Sequence, residues 1–258
     1  MQHAIDQQIR AIEENNSVTI LFACESGSRA WGFASPDSDY NVRFIYVQSP
    51  NNYLRIREKK DIIELPVNQG LDINGWDIRR ALQLFLKSNV PLYEWLQSPI
   101  VYQEKGAFSR ELRALMPAYF SYHTSCHHYI AMARNIFEND LQRKQVKLKK
   151  YFYALRPLLA CLWIVEKRSP PPMEFGQLRT LIKHDDWNRS VDDLLKQQRI
   201  VDEKAVIDPV AVLQQWIENT LVYCEEQSGA MAPVKHDVAT LDALFRKYIL
   251  YFSSLTGS

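Results

Sequence analysis

Apolar positions fall into two regimes along this chain. Up to about residue 75 they come in short continuous or alternating runs; beyond that they recur every three or four residues. Ala4, Ile5, Ile9 and Ile12 share one face of a helical period, which Asn15, Asn16 and Ser17 end. Residues 18–24 are continuously apolar, the pattern of a buried strand. After Gly27 and Ser28, residues 29–33 predict one helical turn, and Ala34 to Asp37 read as a loop. Residues 40–47 alternate, with Val42, Phe44 and Tyr46 against Asn41, Arg43 and Ile45. Residues 62–67 and 71–73 predict two more strands across the turn at Asn68, Gln69 and Gly70.

From Trp76 the period becomes helical. Ile78, Leu82, Phe85 and Leu86 mark an amphipathic helix that ends near Pro91, and little after it reads as strand. Helical patterns cover residues 93–96, 108–116, 119–141, 146–167, 175–182, 210–226 and 241–252, with a strong break at Pro170, Pro171 and Pro172. The expectation is a small α/β domain over 1–100 and an all-helical domain over 101–258.

Composition narrows the class. In 258 residues, 47% are hydrophobic, enough to bury a large core, so disorder is not expected. A net charge of +1 gives no global argument for a nucleic-acid partner; only a local basic patch can supply one. The four cysteines are far apart with no C-x-x-C pair, as expected of reduced thiols in a cytoplasmic protein. The first residues lack a signal-peptide core and no apolar run is long enough to span a bilayer, so no membrane association is expected.

The chemistry concentrates in ESGSRAWGFASPDSDYNVRFIYV, residues 25–47. A Gly-Ser turn can aim backbone N–H groups and a hydroxyl at phosphates. It matches neither a Walker A loop nor the Gly-x-Gly-x-x-Gly fingerprint, and alone it would be an ordinary loop. Asp39 and Asn41, two apart at the head of a strand, point to one face. Asp72, between Leu71 and Ile73, is a third acid whose burial is costly without a cation or partner. Asp77 competes for that third place, although its position just before a helix suits an N-cap better.

These motifs resemble the signature of the DNA polymerase β-type nucleotidyltransferase superfamily, a Gly-Ser followed at a distance by Asp-x-Asp or Asp-x-Glu. The closer resemblance is to the bacterial polymerase β-like nucleotidyltransferases associated with RNA repair. It is carried by ESGSRAWGF, SDYNVRFIY, LDINGWDIRRALQLFLKSN, EWLQSPIVY and KKYFYALRPLLACLWI, over about residues 20–185. The resemblance implies an α+β fold, a minimal α/β catalytic domain with a mixed sheet followed by a helical domain that closes over the nucleotide. It implies transfer of a nucleoside monophosphate from a nucleoside triphosphate such as ATP to a hydroxyl, with Mg²⁺ or Mn²⁺ and an RNA or tRNA end as the leading acceptor. Asp39, Asn41 and Asp72 would then be the catalytic, metal-holding positions, and Gly27 and Ser28 would hold the outer phosphates. Lys149, Tyr153 and Arg156, which share a helix face by spacings of four and three, would meet the nucleotide, with Lys87 a further phosphate contact.

One residue departs from the pattern: Asn41 stands where the family has aspartate. An amide is nearly isosteric with a carboxylate but offers one neutral oxygen, while Mg²⁺ favours charged ones. Impaired turnover follows. An inactivating substitution and a natural variant that binds without turnover both fit, and the intact surrounding motif favours the first. Rival readings are nucleotidyl transfer to a protein or small molecule, a catalytically silent nucleotide- or RNA-binding module, and an interaction protein. His123, Cys126, His127 and His128 lack zinc spacing, and the six tryptophans read as packing residues. Base preference and oligomeric state are not legible in the sequence.

Overall fold

The computed structural model describes residues 1–57, 59–232, 234 and 236–253. The chain forms two compact units, Met1–Ser26 with Asp39–Tyr119 and Lys235–Ser258, and Gly27–Ser38 with Phe120–Val234. These units interleave along the chain, whereas the sequence pattern predicts consecutive domains, 1–100 and 101–258. Spatial neighbours need not be sequence neighbours, and a periodicity reading has no access to that.

The first unit is built on a five-stranded sheet. Its strands are β1 (Val18–Ser26), β2 (Tyr40–Gln48), β3 (Ile62–Glu64), β4 (Leu71–Asp77) and β5 (Val101–Glu104), in the order β3-β4-β2-β1-β5. β2 and β4 run parallel while the other pairs are antiparallel, so the sheet is mixed. Helix α1 (Gln2–Asn16) ends at Ser17, whose φ of 50° places it in the left-handed region of a C-cap. Ile5, Ile9 and Ile12 of α1 pack with Val42, Phe44 and Tyr46 of β2 and Ile73 of β4 in one buried cluster. Burying each such side chain contributes roughly 1.5–3 kcal/mol. The alternation along β2 therefore commits its even-numbered residues to this core and turns Asn41 and Arg43 to the opposite face. Gly75 is required where it stands: a Cβ there would lie 2.3–2.5 Å from the Phe44 ring.

Helices α3 (Pro50–Tyr53), α4 (Ile78–Leu86), α5 (Val90–Leu96), α6 (Phe108–Tyr119) and α12 (Ala239–Ser253) belong to the same unit. β4 runs on to Asp77, past the predicted end at residue 73, and β3 stops at Glu64, short of residue 67. β5 is a strand where none was expected. It is short, with two exposed residues among its four, so it carries too little apolar pattern to be read.

The second unit holds α2 (Gly27–Trp31), α7 (Tyr122–Asp140), α8 (Leu148–Lys167), α9 (Phe175–Leu178), α10 (Asp185–Gln198) and α11 (Ala211–Gly229). A two-strand ribbon of β6 (Val146–Lys147) and β7 (Val206–Ile207) accompanies them. Cys126 on α7, Cys161 on α8 and Cys224 on α11 are buried free thiols. Hydrogen bonds with Cys126 and Cys224, together with burial, push the Cys161 thiol up. α10, which periodicity did not predict, buries Trp187, Val191 and Leu194 on one stripe, and His184 caps it by accepting the Trp187 N–H. Among the described residues no helix is long and apolar enough to cross a membrane.

Candidate active site

The parallel register of β2 and β4 brings two of the three candidate positions side by side. Asn41 faces Asp72, and Tyr40 faces Leu71. Neighbouring strands lie about 4.8 Å apart, so the two side chains are adjacent on the face away from α1. Asp39 precedes β2 by one residue, at the same end of the strand pair. The Tyr40 N–H donates to the Gly70 carbonyl at 2.7 Å, and a Cβ added at Gly70 would lie 3.2 Å from Asp39 Oδ1. Gly70, with φ of 74°, both makes the turn into β4 and leaves room for that carboxylate.

Arg43 holds the group together electrostatically. Its Nη2 donates to Asp72 Oδ2 at 2.7 Å and to Asn41 Oδ1 at 3.3 Å, and its Nη1 donates to the Val42 and Asp72 carbonyls at 3.0 and 3.1 Å. Side-chain exposures of 15% for Arg43 and 26% for Asp72 leave this ion pair only partly shielded from water. Glu25 on β1 acts as a structural acceptor. It is fully buried and takes the Asn41 N–H at 2.7 Å and the Tyr102 hydroxyl, so it anchors the start of β2. Ser26 is the cross-strand partner of Asn41, and Gly27 follows it directly in the chain.

Asp77 stands at the other end of β4. Its Oδ1 accepts the Arg79 N–H at 2.8 Å, and its Oδ2 accepts the Tyr53 hydroxyl at 2.7 Å and Gln48 Nε2 at 3.0 Å. It is the N-cap of α4, and burial raises its pKa above the usual carboxylate value. Its competition with Asp72 for a place beside Asn41 is therefore resolved by position.

The Gly-Ser segment is built into the second unit. Gly27 has φ of 69°, and the Ser28 carbonyl accepts the Gly32 and Phe33 N–H groups, both at 3.0 Å. Trp31 meets Tyr153 of α8 edge-on at 5.8 Å, and Phe33 stacks on Phe152 at 5.0 Å. Arg156 is 2% exposed; its Nε and Nη2 donate to the Met173 carbonyl while its guanidinium lies 4.5 Å over the Trp31 ring. That side chain anchors the segment to α8. Lys149 forms an ion pair with Glu203, which also accepts from Ser38 Oγ at 3.3 Å. Both Asp37 carboxylate oxygens accept the Glu203 N–H at 3.1 Å, and this bond, with one from Ser35, lowers the Asp37 pKa. Within this unit, then, the Gly-Ser segment and the basic face of α8 come together.

Lys87 is exposed at the C-terminal end of α4, in the first unit. Glu203 and Asp37 were not foreseen. Glu203 lies in a polar loop without apolar period, and only its charge opposite to Lys149 hinted at the pairing. His123 and His127 approach to 3.2 Å on α7, and among the described residues no group of three or more His, Cys, Asp or Glu side chains is placed to hold a metal.

A mixed sheet whose parallel strands β2 and β4 carry Asn41 and Asp72, accompanied by many helices, makes this an α+β fold. The chain belongs to the RNA repair pathway DNA polymerase beta family (RlaP), whose model matches residues 1–247. It is 42% identical over 241 residues to the uncharacterized protein YcgL of Bacillus subtilis strain 168, covering 93% of each chain. A nucleotidyltransferase-like protein from Exiguobacterium sibiricum 255-15, a solved structure, is 14% identical, with 88% of this chain and 75% of that chain covered and a TM-score of 0.31. At that TM-score the likeness adds nothing to the assignment.

Proposed function

We propose that this chain carries the apparatus for moving a nucleoside monophosphate from a nucleoside triphosphate to a hydroxyl, with an RNA or tRNA end as acceptor, and that Asn41 impairs its turnover. The observation that carries the reading is the register pairing Asn41 with Asp72, with Asp39 beside Gly70 at the same strand ends. Two carboxylates and an amide oxygen at the same strand ends are hard donors of the kind Mg²⁺ or Mn²⁺ takes, so the residue types fit the ion with one charge fewer than a three-carboxylate set. Such an ion, when bound, neutralises phosphate charge and lowers the pKa of an attacking hydroxyl.

The chain's own groups have separable tasks. Asp39 and Asp72 hold the metal, and Asp72 must share its carboxylate with Arg43. Asn41 contributes an oxygen without charge and an NH₂ that cannot ligate. Glu25 fixes the Asn41 backbone. In the second unit Gly27, Ser28, Lys149 and Tyr153 bind the nucleotide; Lys87, in the first unit, is a separate candidate for phosphate binding. Arg156 keeps Trp31 and the Gly-Ser segment in place and acts on the nucleotide through them.

The test is the reversion Asn41→Asp. Pyrophosphate release from labelled nucleoside triphosphates, with RNA ends supplied, is expected to rise about 100-fold or more over the starting chain. A second reading, nucleotide binding without transfer, is favoured by the Asn41 amide and by the Arg43–Asp72 ion pair, which already neutralises one acid. An Asn41→Asp chain that binds a triphosphate yet releases no pyrophosphate would establish that second reading. Labelled protein or small-molecule acceptors in place of RNA would redirect the acceptor assignment alone.

A further inference from the structure

At the far ends of β2 and β4 the first unit has a cationic cavity of about 250 Å³, walled by Gln48, Tyr53, Arg55, Lys59, Arg79 and Arg80. Two carboxylates also line it, and both are engaged. Asp61 pairs with Arg80 at 2.9 Å, and Asp77 is buried among its three donors. Arg79 is held by two rings, its guanidinium 5.2 Å from Tyr53 and 5.3 Å from Phe245. Among the described residues, Arg55 and Lys59 have no hydrogen-bond or ion-pair partner.

Two buried polar atoms at this cavity are left unmet, Gln48 Oε1 and Arg80 Nε. Gln48 is 6% exposed, and its Nε2 donates to Asp77 Oδ2. That bond fixes which way the amide faces, because a flip would set its oxygen against the carboxylate. The wall thus presents one buried acceptor and one buried donor next to cations that have no partner among the described residues, an arrangement that costs stability until a ligand supplies the counterparts.

We infer that this cavity is a binding site for a phosphate ester, the phosphate lying against Arg55, Lys59 and Arg80 and a hydroxyl or amino donor of the same molecule meeting Gln48 Oε1. Inorganic phosphate satisfies the cations only, whereas a nucleotide carries both groups. Gln48 stands seven residues beyond Asn41 on β2, about 23 Å along the strand at about 3.3 Å per residue. The site is therefore separate from the acid pair, and it holds either a free nucleotide or a distant part of a nucleic-acid strand. Its occupancy does not depend on turnover.

Binding of adenosine 5′-monophosphate and of inorganic phosphate by calorimetry, and of a short single-stranded oligoribonucleotide by fluorescence anisotropy, reads the site at one ionic strength. The double variant Arg55→Gln/Lys59→Gln alters exposed side chains and leaves the buried ones in place. It is expected to weaken the monophosphate, the oligoribonucleotide or both by about tenfold. The control Lys167→Gln/Lys183→Gln, with the same change in charge, is expected to alter binding less than about twofold. Loss for the monophosphate identifies a free nucleotide, and loss for the strand alone identifies a strand. Inorganic phosphate is expected to bind the starting chain about tenfold more weakly than the monophosphate. Equal loss in the two double variants, no loss in either, or inorganic phosphate binding as tightly as the monophosphate would overturn the inference.

Discussion

β4 carries two aspartates five residues apart, and the strand treats them in opposite ways. Asp72, at the start, is partly exposed, and its neighbours are an amide and a guanidinium that reach it from β2. Asp77, at the end, is 2% exposed and accepts from a hydroxyl, a side-chain amide and a backbone N–H. The same side chain is thus open to an incoming ligand at one end and consumed by the fold at the other. What separates them is the supply of local donors. A carboxylate that receives three donors while buried fixes structure, and a partly exposed one held by a single cation keeps capacity for something else.

Several substitutions break or sharpen this contrast. The largest effect falls at the open end: in the Asn41→Asp background, Asp39→Ala is expected to reduce pyrophosphate release about 100-fold or more without a comparable loss of stability. At the closed end, Asp77→Ala strands three donors and is expected to cost about 3 kcal/mol by urea unfolding. Between the ends, Gly75→Ala drives a methyl into the Phe44 ring and is expected to cost about 2–3 kcal/mol in the same assay. Asp72→Ala is expected to cost under about 1 kcal/mol, since its ion pair is partly solvated. A Asp72→Ala loss as large as that of Asp77→Ala would abolish the contrast.

The smallest effect lies in the second unit and depends on pH. The Asp37 pKa is lowered in the folded chain, chiefly by the Glu203 N–H. Its contribution to stability is then present above the unfolded value of 3.8 and lost as pH falls through the lower folded value. Thermal midpoints of the starting chain and Asp37→Asn should differ slightly near neutral pH and converge well below pH 3.8. A gap that persists in acid would remove Asp37 from this role.

Much of the sheet was legible because its alternation is strict. Val42, Phe44 and Tyr46 announced a core face, and Asn41 and Arg43 therefore had to occupy the other. The N-cap role of Asp77 was also readable, since it stands just before the helical period begins. Other features were hidden for physical reasons. β5 is an edge strand too short to show alternation, and α10 has a narrow apolar stripe among many charges. The bond from Arg43 to Asp72 joins residues 29 positions apart and exists only through strand register. Arg156 was visible as a cation on a basic helix, but its burial against Trp31 and Met173 required the packing itself. The interleaving of the two units was equally invisible, because periodicity reports which face is apolar and not which segment will cover it.

Helix α12 has a consequence for the order in which the molecule matures. Phe245 meets Tyr53 at 5.3 Å and Tyr248 meets Phe108 at 5.1 Å, so part of the first unit is sealed by residues that leave the ribosome only after the long helical stretch is made. Helices α3 and α6 must wait through the synthesis of residues 120–234 with some aromatic surface uncovered. A translating chain stalled before residue 239 should therefore expose Tyr53 and Phe108 to solvent, and its final helix works as a late fastening.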